Sequence, residues 1–431
     1  MKLAIIGGGG FRVPLVYRAL AHSADSLVDQ VWLYDTSSAR LAVISDVLRQ
    51  LGGALPVHCT TVLDEALEGS DFVFSAMRVG GLAGRVADER AAFGLGLIGQ
   101  ETTGPGGIAY GLRTIPVAMA MARRVLAVAP GAYVINFTNP AGMITEAMQS
   151  LLGDHVIGIC DTPSGLGSRL ARQCGVPAGE VRLDYAGLNH LGWLRGAHYR
   201  DRDLVGEVLA ADDVVLGQLE EAQLMGGDWL RTLGMIPNEY LYYYYCQRET
   251  RRAKAQTRGE YLQAQQDAFY RSAAADPARA LQTWQRALSE REATYMADAR
   301  PAGTPQPESD GYEYVALGLI SAIAADQPST MILNVRNDDA LPGLPASAVV
   351  EVPCHVDGGG ARPLPVTAPA GAELGLMQQV KKVEQLTIRA ATERDPRLAY
   401  QALALHPLVD SVAVAGELLA TYRRNEPLLF S

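Results

Sequence analysis

A chain of 431 residues, 48% apolar and 19% charged, is too long for one small core and reads as two closely packed lobes. Its net charge of −10 and pI near 5.3 argue against nucleic acid or an anionic membrane as the main partner. Five cysteines, odd in number and widely spaced, form no disulfide framework and point to a reducing cytoplasm.

The opening MKLAIIGGGG has six residues before its first glycine, too short for a secretory h-region. No apolar run approaches the ~20 residues of a spanning helix. Leu3–Ile6 is the first expected strand. FRVPLVYRALAH (11–22) has helical spacing, with Leu15, Ala19 and Leu20 on one face, and QVWLYD is a second strand closed by Asp35. Strand, glycine turn, helix, strand and acid is the layout of a dinucleotide-binding unit. Gly7 and Gly9 let the backbone approach a pyrophosphate. The helix that opens around Phe11 and Arg12 supplies N–H donors and the positive end of its dipole. Asp35, 28 residues after Gly7, accepts from ribose hydroxyls, and an acid there favours NAD over NADP. Arg12 stands at the third glycine position, so the run alone also fits a purely structural turn.

The alternation continues. DFVFSAM (71–77) reads as a strand, IPVAMAMARRVLAVAP as a helix with Pro116 in its first turn, and AYVINFTNP as a strand ending in Asn136 and Asn139. AGMITEAMQSLL is the next helix and HVIGIC the next strand. This predicts an α/β protein with an N-terminal Rossmann-type, doubly wound parallel sheet over residues 1–165. Ligands of such sheets bind beyond the C-terminal strand ends, where Arg78, Asn136, Asn139 and Cys160 fall. Residues 166–431 read as a mixed α+β substrate and oligomerisation lobe, in the manner of lactate and malate dehydrogenases. Helices are expected in ADDVVLGQLEEAQL, from 259 to 299, in GYEYVALGLISAIAAD and in ATERDPRLAYQALALHPLV. Strands are expected in PSTMILNVRN and SAVVEVPCHVDG, and residues 300–311 read as a loop rich in proline and glycine.

Cys160 closes HVIGIC, and His190 lies thirty residues later in YAGLNHLGW. On residue type alone they are either two core side chains or half of a metal site, and softness alone would favour zinc or Fe2+. No acids stand in a motif that reads as the carboxylate pair of an ordinary glycosidase.

Taken together, GGGGFRVP, MRVGGLAGRVADE, GLIGQETTGPGGIAYGLRTIP, INFTNPAG, GICDTP and GLNHLGW resemble glycoside hydrolase family 4. IPNEYLYYYY, TRGE and VEVP extend the resemblance to about residue 360. It implies an NAD+- and Mn2+-dependent glycosidase, expected to act on 6-phospho-β-glucosides. The implied chemistry oxidises C3, removes the C2 proton, eliminates the aglycone, adds water and re-reduces. It also implies that Cys160 and His190 hold the metal, that Tyr240 is the C2 base with Tyr244 as fallback, and that Asn139 bridges sugar and cofactor. Arg78 and Arg258 would take the substrate, their guanidinium forks suiting a 6-phosphate. Asp161 would be the acid at the leaving oxygen; aspartate there is commoner in members acting on 6-phospho-α-glucosides, which leaves the anomer and the need for a phosphate open. A homodimer or homotetramer is expected. Two rivals share the fold: an NAD-dependent hydroxyacid dehydrogenase, and a non-catalytic NAD-binding sensor.

Overall fold

The computed structural model describes residues 1–23, 27–251, 256–294 and 311–430. Residues 300–310 of the expected 300–311 loop and the end of the helical pattern, 295–299, lie outside the described residues.

Six strands form the first part of one sheet: β1 (Lys2–Ile6), β2 (Gln30–Tyr34), β3 (Val57–Thr60), β4 (Phe72–Ser75), β5 (Tyr133–Asn136) and β6 (Val156–Gly158). Every pairing among them is parallel, in the order β3-β2-β1-β4-β5-β6. Both faces of the central strands β1, β4, β5 and β6 are covered, which is why they are nearly all apolar, while edge strand β3 is half-exposed and polar. Leu3, Ile5, Leu33 and Phe74 face helices Val13–His22, Ser38–Leu51 and Tyr312–Ala324. Ala4, Ile6, Val73 and Val134 face helices Gly104–Val128, Ala141–Leu152 and Gly371–Glu393. The N-terminal half is therefore the doubly wound Rossmann-type sheet that the sequence predicts.

The sheet does not stop there. Seven further strands follow: β7 (Arg182–Leu188), β8 (Leu191–Tyr199), β9 (Arg202–Asp203), β10 (Ile236–Pro237), β11 (Ser329–Arg336), β12 (Val349–Asp357) and β13 (Gly360–Pro363). They continue the same sheet with antiparallel pairings, through β11 beside β6 and on through β12, β7, β8 and β10. At the seam Asn334 of β11 pairs with Gly158 of β6. A Cβ on Gly158 would lie 2.8 Å from the Cβ of Asn334, so only glycine lets the two halves close.

Three local expectations are corrected. The helix over 115–130 begins at Gly104, after the GQETT segment, which leaves Pro116 in its interior. Twelve of its first fifteen residues are buried, and this contact outweighs the one backbone bond that Pro116 removes. ADDVVLGQLEEAQL is two short helices, Asp213–Leu216 and Glu220–Met225, parted at Gly217. The pattern from 259 breaks at Asp276–Pro277 into helices Arg258–Ala275 and Ala280–Ala293.

Candidate functional site

Four loops meet at the C-terminal edge of the parallel strands. The first is the glycine turn after β1. Gly7 has φ +89°, a left-handed conformation that favours glycine, and its N–H donates to the Tyr34 carbonyl at 2.9 Å. A Cβ on Gly9 would stand 2.7 Å from the Arg40 Cβ and 2.9 Å from Asp35 Oδ2. Asp35 accepts from the N–H groups of Gly9 (3.0 Å) and Ser37 (2.9 Å), so it shapes the turn as well as standing at its mouth. Phe11 turns its ring into the core, edge-on to Phe269 at 5.3 Å; its side chain anchors the turn and does not face a cofactor. Arg12 lies over the Tyr312 ring at 5.1 Å. The helix from Val13 has no side-chain cap, and its open N-terminus suits the phosphates of a dinucleotide.

The second loop follows β5. Asn136 is fully buried: its amide donates to Thr138, Ala141 and Thr145, and its Oδ1 accepts the Thr138 N–H. The side chain is spent as a latch on its own loop. Asn139 differs: its buried Oδ1 has no hydrogen-bond partner. An oriented, unsatisfied carbonyl at a strand end is a polar group awaiting a ligand.

The third loop carries Cys160 and Asp161. Cys160 is 5% exposed at the end of β6. Burial, then Glu351 and Asp161, push its thiol well above the usual range. It is a neutral thiol in the bare protein and becomes a thiolate only against a cation. Asp161 is half-buried at the N-terminus of helix Thr162–Gln173.

The fourth loop is the two-residue turn between β7 and β8, Asn189–His190. The sequence gives no strand signal here strong enough to foresee the hairpin. His190 has φ +63° and is 7% exposed. Burial pushes its pKa down to about 3, so the ring is neutral. Its Nδ1 lies 3.0 Å from Thr102 Oγ1, whose hydroxyl donates to Gln100 Oε1 at 3.2 Å. With that donor committed, Thr102 accepts the Nδ1 proton, and the Nε2 lone pair is left for a ligand. A neutral imidazole and a thiol are, by donor chemistry, residue types that fit a divalent cation.

Tyr240 stacks on His190, ring centroids 3.7 Å apart and planes 9° from parallel. Tyr244 lines the same small cavity as His190, but its ring is set against His406 at 6.3 Å, with burial pushing its pKa up. The fold thus brings Tyr240, not Tyr244, onto the histidine.

Five arginines gather beside these loops. Arg291, absent from the sequence reasoning, is pushed down in pKa by burial and then by Arg12, Arg78, Arg85 and Arg258. Arg78 pairs with Glu101; Arg85 pairs with Glu89 at 2.7 Å and Glu101 at 2.5 Å. Arg258 spends part of its guanidinium on Thr294 Oγ1 (2.7 Å) and the Arg291 carbonyl (2.9 Å). Among the described residues three carboxylates, Glu89, Glu101 and Glu313, face these five guanidiniums, which leaves the cluster net positive. Glu351 lies inside the VEVP motif but was given no role: it is a 1% exposed carboxylate that burial pushes up to about 7, against hydrogen bonds from Asn334, Asn189 and Tyr185. A single buried glutamate in an apolar strand carries no spacing signal.

The model of family 4 glycosyl hydrolases matches residues 2–176, and that of the family's C-terminal domain matches residues 185–409. A 6-phospho-beta-glucosidase of Escherichia coli (strain K12) is 30% identical over 448 residues, covering 99% of this chain and 96% of that protein. A 6-phospho-alpha-glucosidase of Lacticaseibacillus paracasei is 29% identical, covering 97% and 95%. The structure of the 6-phospho-beta-glucosidase from Thermotoga maritima with manganese, NAD+ and glucose-6-phosphate superposes with a TM-score of 0.84, at 27% identity and 99% coverage of both chains. With two family models spanning most of its length and a full-length relative at 30% identity, this chain belongs to glycosyl hydrolase family 4.

Proposed function

We propose that this glycosidase hydrolyses 6-phospho-β-glucosides, with NAD+ in the glycine turn and Mn2+ on Cys160 and His190. The observation that carries it is Tyr240 stacked on a buried, neutral His190 whose Nδ1 is already committed to Thr102. When bound, the cofactor supplies reversible oxidation at C3 of the sugar, and the metal supplies positive charge at the C2 and C3 oxygens.

The chain's own residues supply the rest. Tyr240 takes the proton from C2, which is acidic once C3 is a ketone. Asp161, at the head of its helix, gives a proton to the leaving oxygen. Asn139 directs its unpartnered carbonyl at the sugar or cofactor. Arg78, Arg258 and Arg291 hold the 6-phosphate in the positive pocket. Residues 1–165 carry the cofactor and 166–431 most of the substrate contacts. Assembly as a homodimer or homotetramer and a cytoplasmic setting belong to the same proposal; among the described residues no helix is long and apolar enough to cross a membrane.

One observation favours a second anomer. Asp161 replaces the asparagine expected of β-acting members, and an α-acting relative matches over nearly the whole chain. The test is a panel of p-nitrophenyl α- and β-glucosides, with and without 6-phosphate, supplied with NAD+, Mn2+ and thiol. Cleavage of the phosphorylated β-glucoside, with deuterium entering C2 of the sugar in D2O, is expected. Steady NADH accumulation without cleavage would identify a dehydrogenase instead.

A further inference from the structure

We propose that Glu351 is a positioning residue that holds the metal-binding turn and the base segment in one arrangement. The proposal rests on the reading above in giving His190 to the metal and Tyr240 to the C2 proton. Glu351 stands on β12, in register with Asn334 of β11 and Gly187 of β7, between the two strands that flank it. Its Oε1 accepts from Asn334 Nδ2 (2.9 Å) and Asn189 Nδ2 (3.2 Å), and its Oε2 accepts from the Tyr185 hydroxyl (3.1 Å).

Each oxygen leads to a different part of the site. Asn189 is the first residue of the turn whose second is His190. His190 sits in the left-handed region, where a side chain is strained and needs its surroundings to hold it. The bond to Glu351 pins that turn from below. On the other side Tyr185 accepts from Asn238 Nδ2 at 3.0 Å. Asn238 in turn accepts the Tyr240 N–H on its Oδ1 at 3.1 Å and donates its own N–H to the Gly192 carbonyl at 2.9 Å. Tyr185 and Asn238 are fully buried. A Cβ on Gly192 would lie 2.2 Å from the Tyr185 hydroxyl, so the glycine keeps this route open.

The chemistry explains why a carboxylate stands here. Three donors converge on Glu351, and among the described residues no ion-pair partner offsets its burial. A glutamine would turn an NH2 toward one of those donors. A merely structural bridge between β7, β11 and β12 would not need separate oxygens feeding the metal turn and the base.

The test compares Glu351→Gln, Asn189→Ala and Tyr185→Phe in the full-length protein. Mn2+ binding is read from the EPR signal of the free ion, kcat and KM with NAD+ and saturating Mn2+, and folding from Tm. Asn189→Ala is expected to weaken Mn2+ binding about ten- to hundredfold. Tyr185→Phe should leave the Mn2+ Kd within about twofold of the wild type and lower kcat roughly tenfold or more, with KM little changed. Glu351→Gln should show both losses. Should Glu351→Gln fail to fold, the two single-arm variants still decide the matter. Silence of both, or equal losses of metal affinity and kcat in both that track Tm, overturns the proposal. Wild-type Mn2+ binding in Cys160→Ser would instead overturn the site reading beneath it, and the proposal with it; that arm tells the two failures apart.

Discussion

The two halves of the sheet build their share of the site by different means. In the parallel half, β1 to β6, the functional groups sit on loops at strand ends and are largely backbone: the turn at Gly7–Gly10, the open end of helix Val13–His22, and the short loops that carry Asn139 and Cys160. In the antiparallel half, β7 to β12, they are side chains joined across long stretches of chain, such as Tyr185 and Glu351, 166 residues apart. Backbone-built sites need particular residue types at short, fixed spacing, because only those permit the turn. Side-chain networks need only geometry at the end of folding, and many spacings provide it.

Substitutions should separate the halves. The largest effect is expected at their junction: Cys160→Ser should abolish metal-dependent turnover and leave NAD+ affinity near normal, checked by rate assay and NAD+ titration. Most of the activity surviving at ordinary Mn2+ would dissolve the metal assignment. Tyr240→Phe should cut kcat roughly 10²–10⁴-fold, the usual loss of a general base, while sparing NAD+ binding. Tyr244→Phe should do far less, and the opposite ranking would move the base into the wall beside His406.

Thr102→Val lies between these in size. It removes the acceptor that holds the His190 tautomer, and an outer-shell loss of this kind should weaken Mn2+ binding about ten- to hundredfold. Arg291→Met should raise KM for phosphorylated substrates by about tenfold or more, from the loss of one charged hydrogen bond, and leave unphosphorylated glucosides unaffected. Equal losses on both substrate types would make the positive pocket a structural feature. The smallest effect is expected for Gly9→Ala. Its new Cβ presses on Arg40 and Asp35, and a cost of about 1 kcal/mol would raise the NAD+ Kd some fivefold to tenfold without touching the Mn2+ Kd. A change in metal affinity there would show that the halves are not separable.

Legibility in the sequence followed the same division. Five of the six parallel strands, the turn at Gly7, Asp35, Cys160 and the loop of Asn139 were readable, since burial forces apolar runs and the turns force glycine; β3 was not, because Val57–Thr60 is a short edge strand with a half-exposed, polar sequence. His190 and Tyr240 were found through motif resemblance, and only the fold showed their rings stacked. The position of Asn136 at a strand end says nothing of the four hydrogen bonds its side chain makes within its own loop. Phe11 lies in the glycine motif, yet its ring belongs to the core.

By itself the sequence determined the strand–helix alternation, the cofactor turn and the identity of the groups that can bind a metal or move a proton. These follow from short-range rules, periodicity and the steric demands of glycine, which act within a few residues. The tertiary structure alone decided that β11 joins β6 at Gly158, that five arginines share one pocket, and which tyrosine lies against the histidine. It also decided that a lone glutamate on β12 reaches the loops of His190 and Tyr240. These depend on which distant segments the antiparallel strands bring into register, and no local pattern of residue types encodes that.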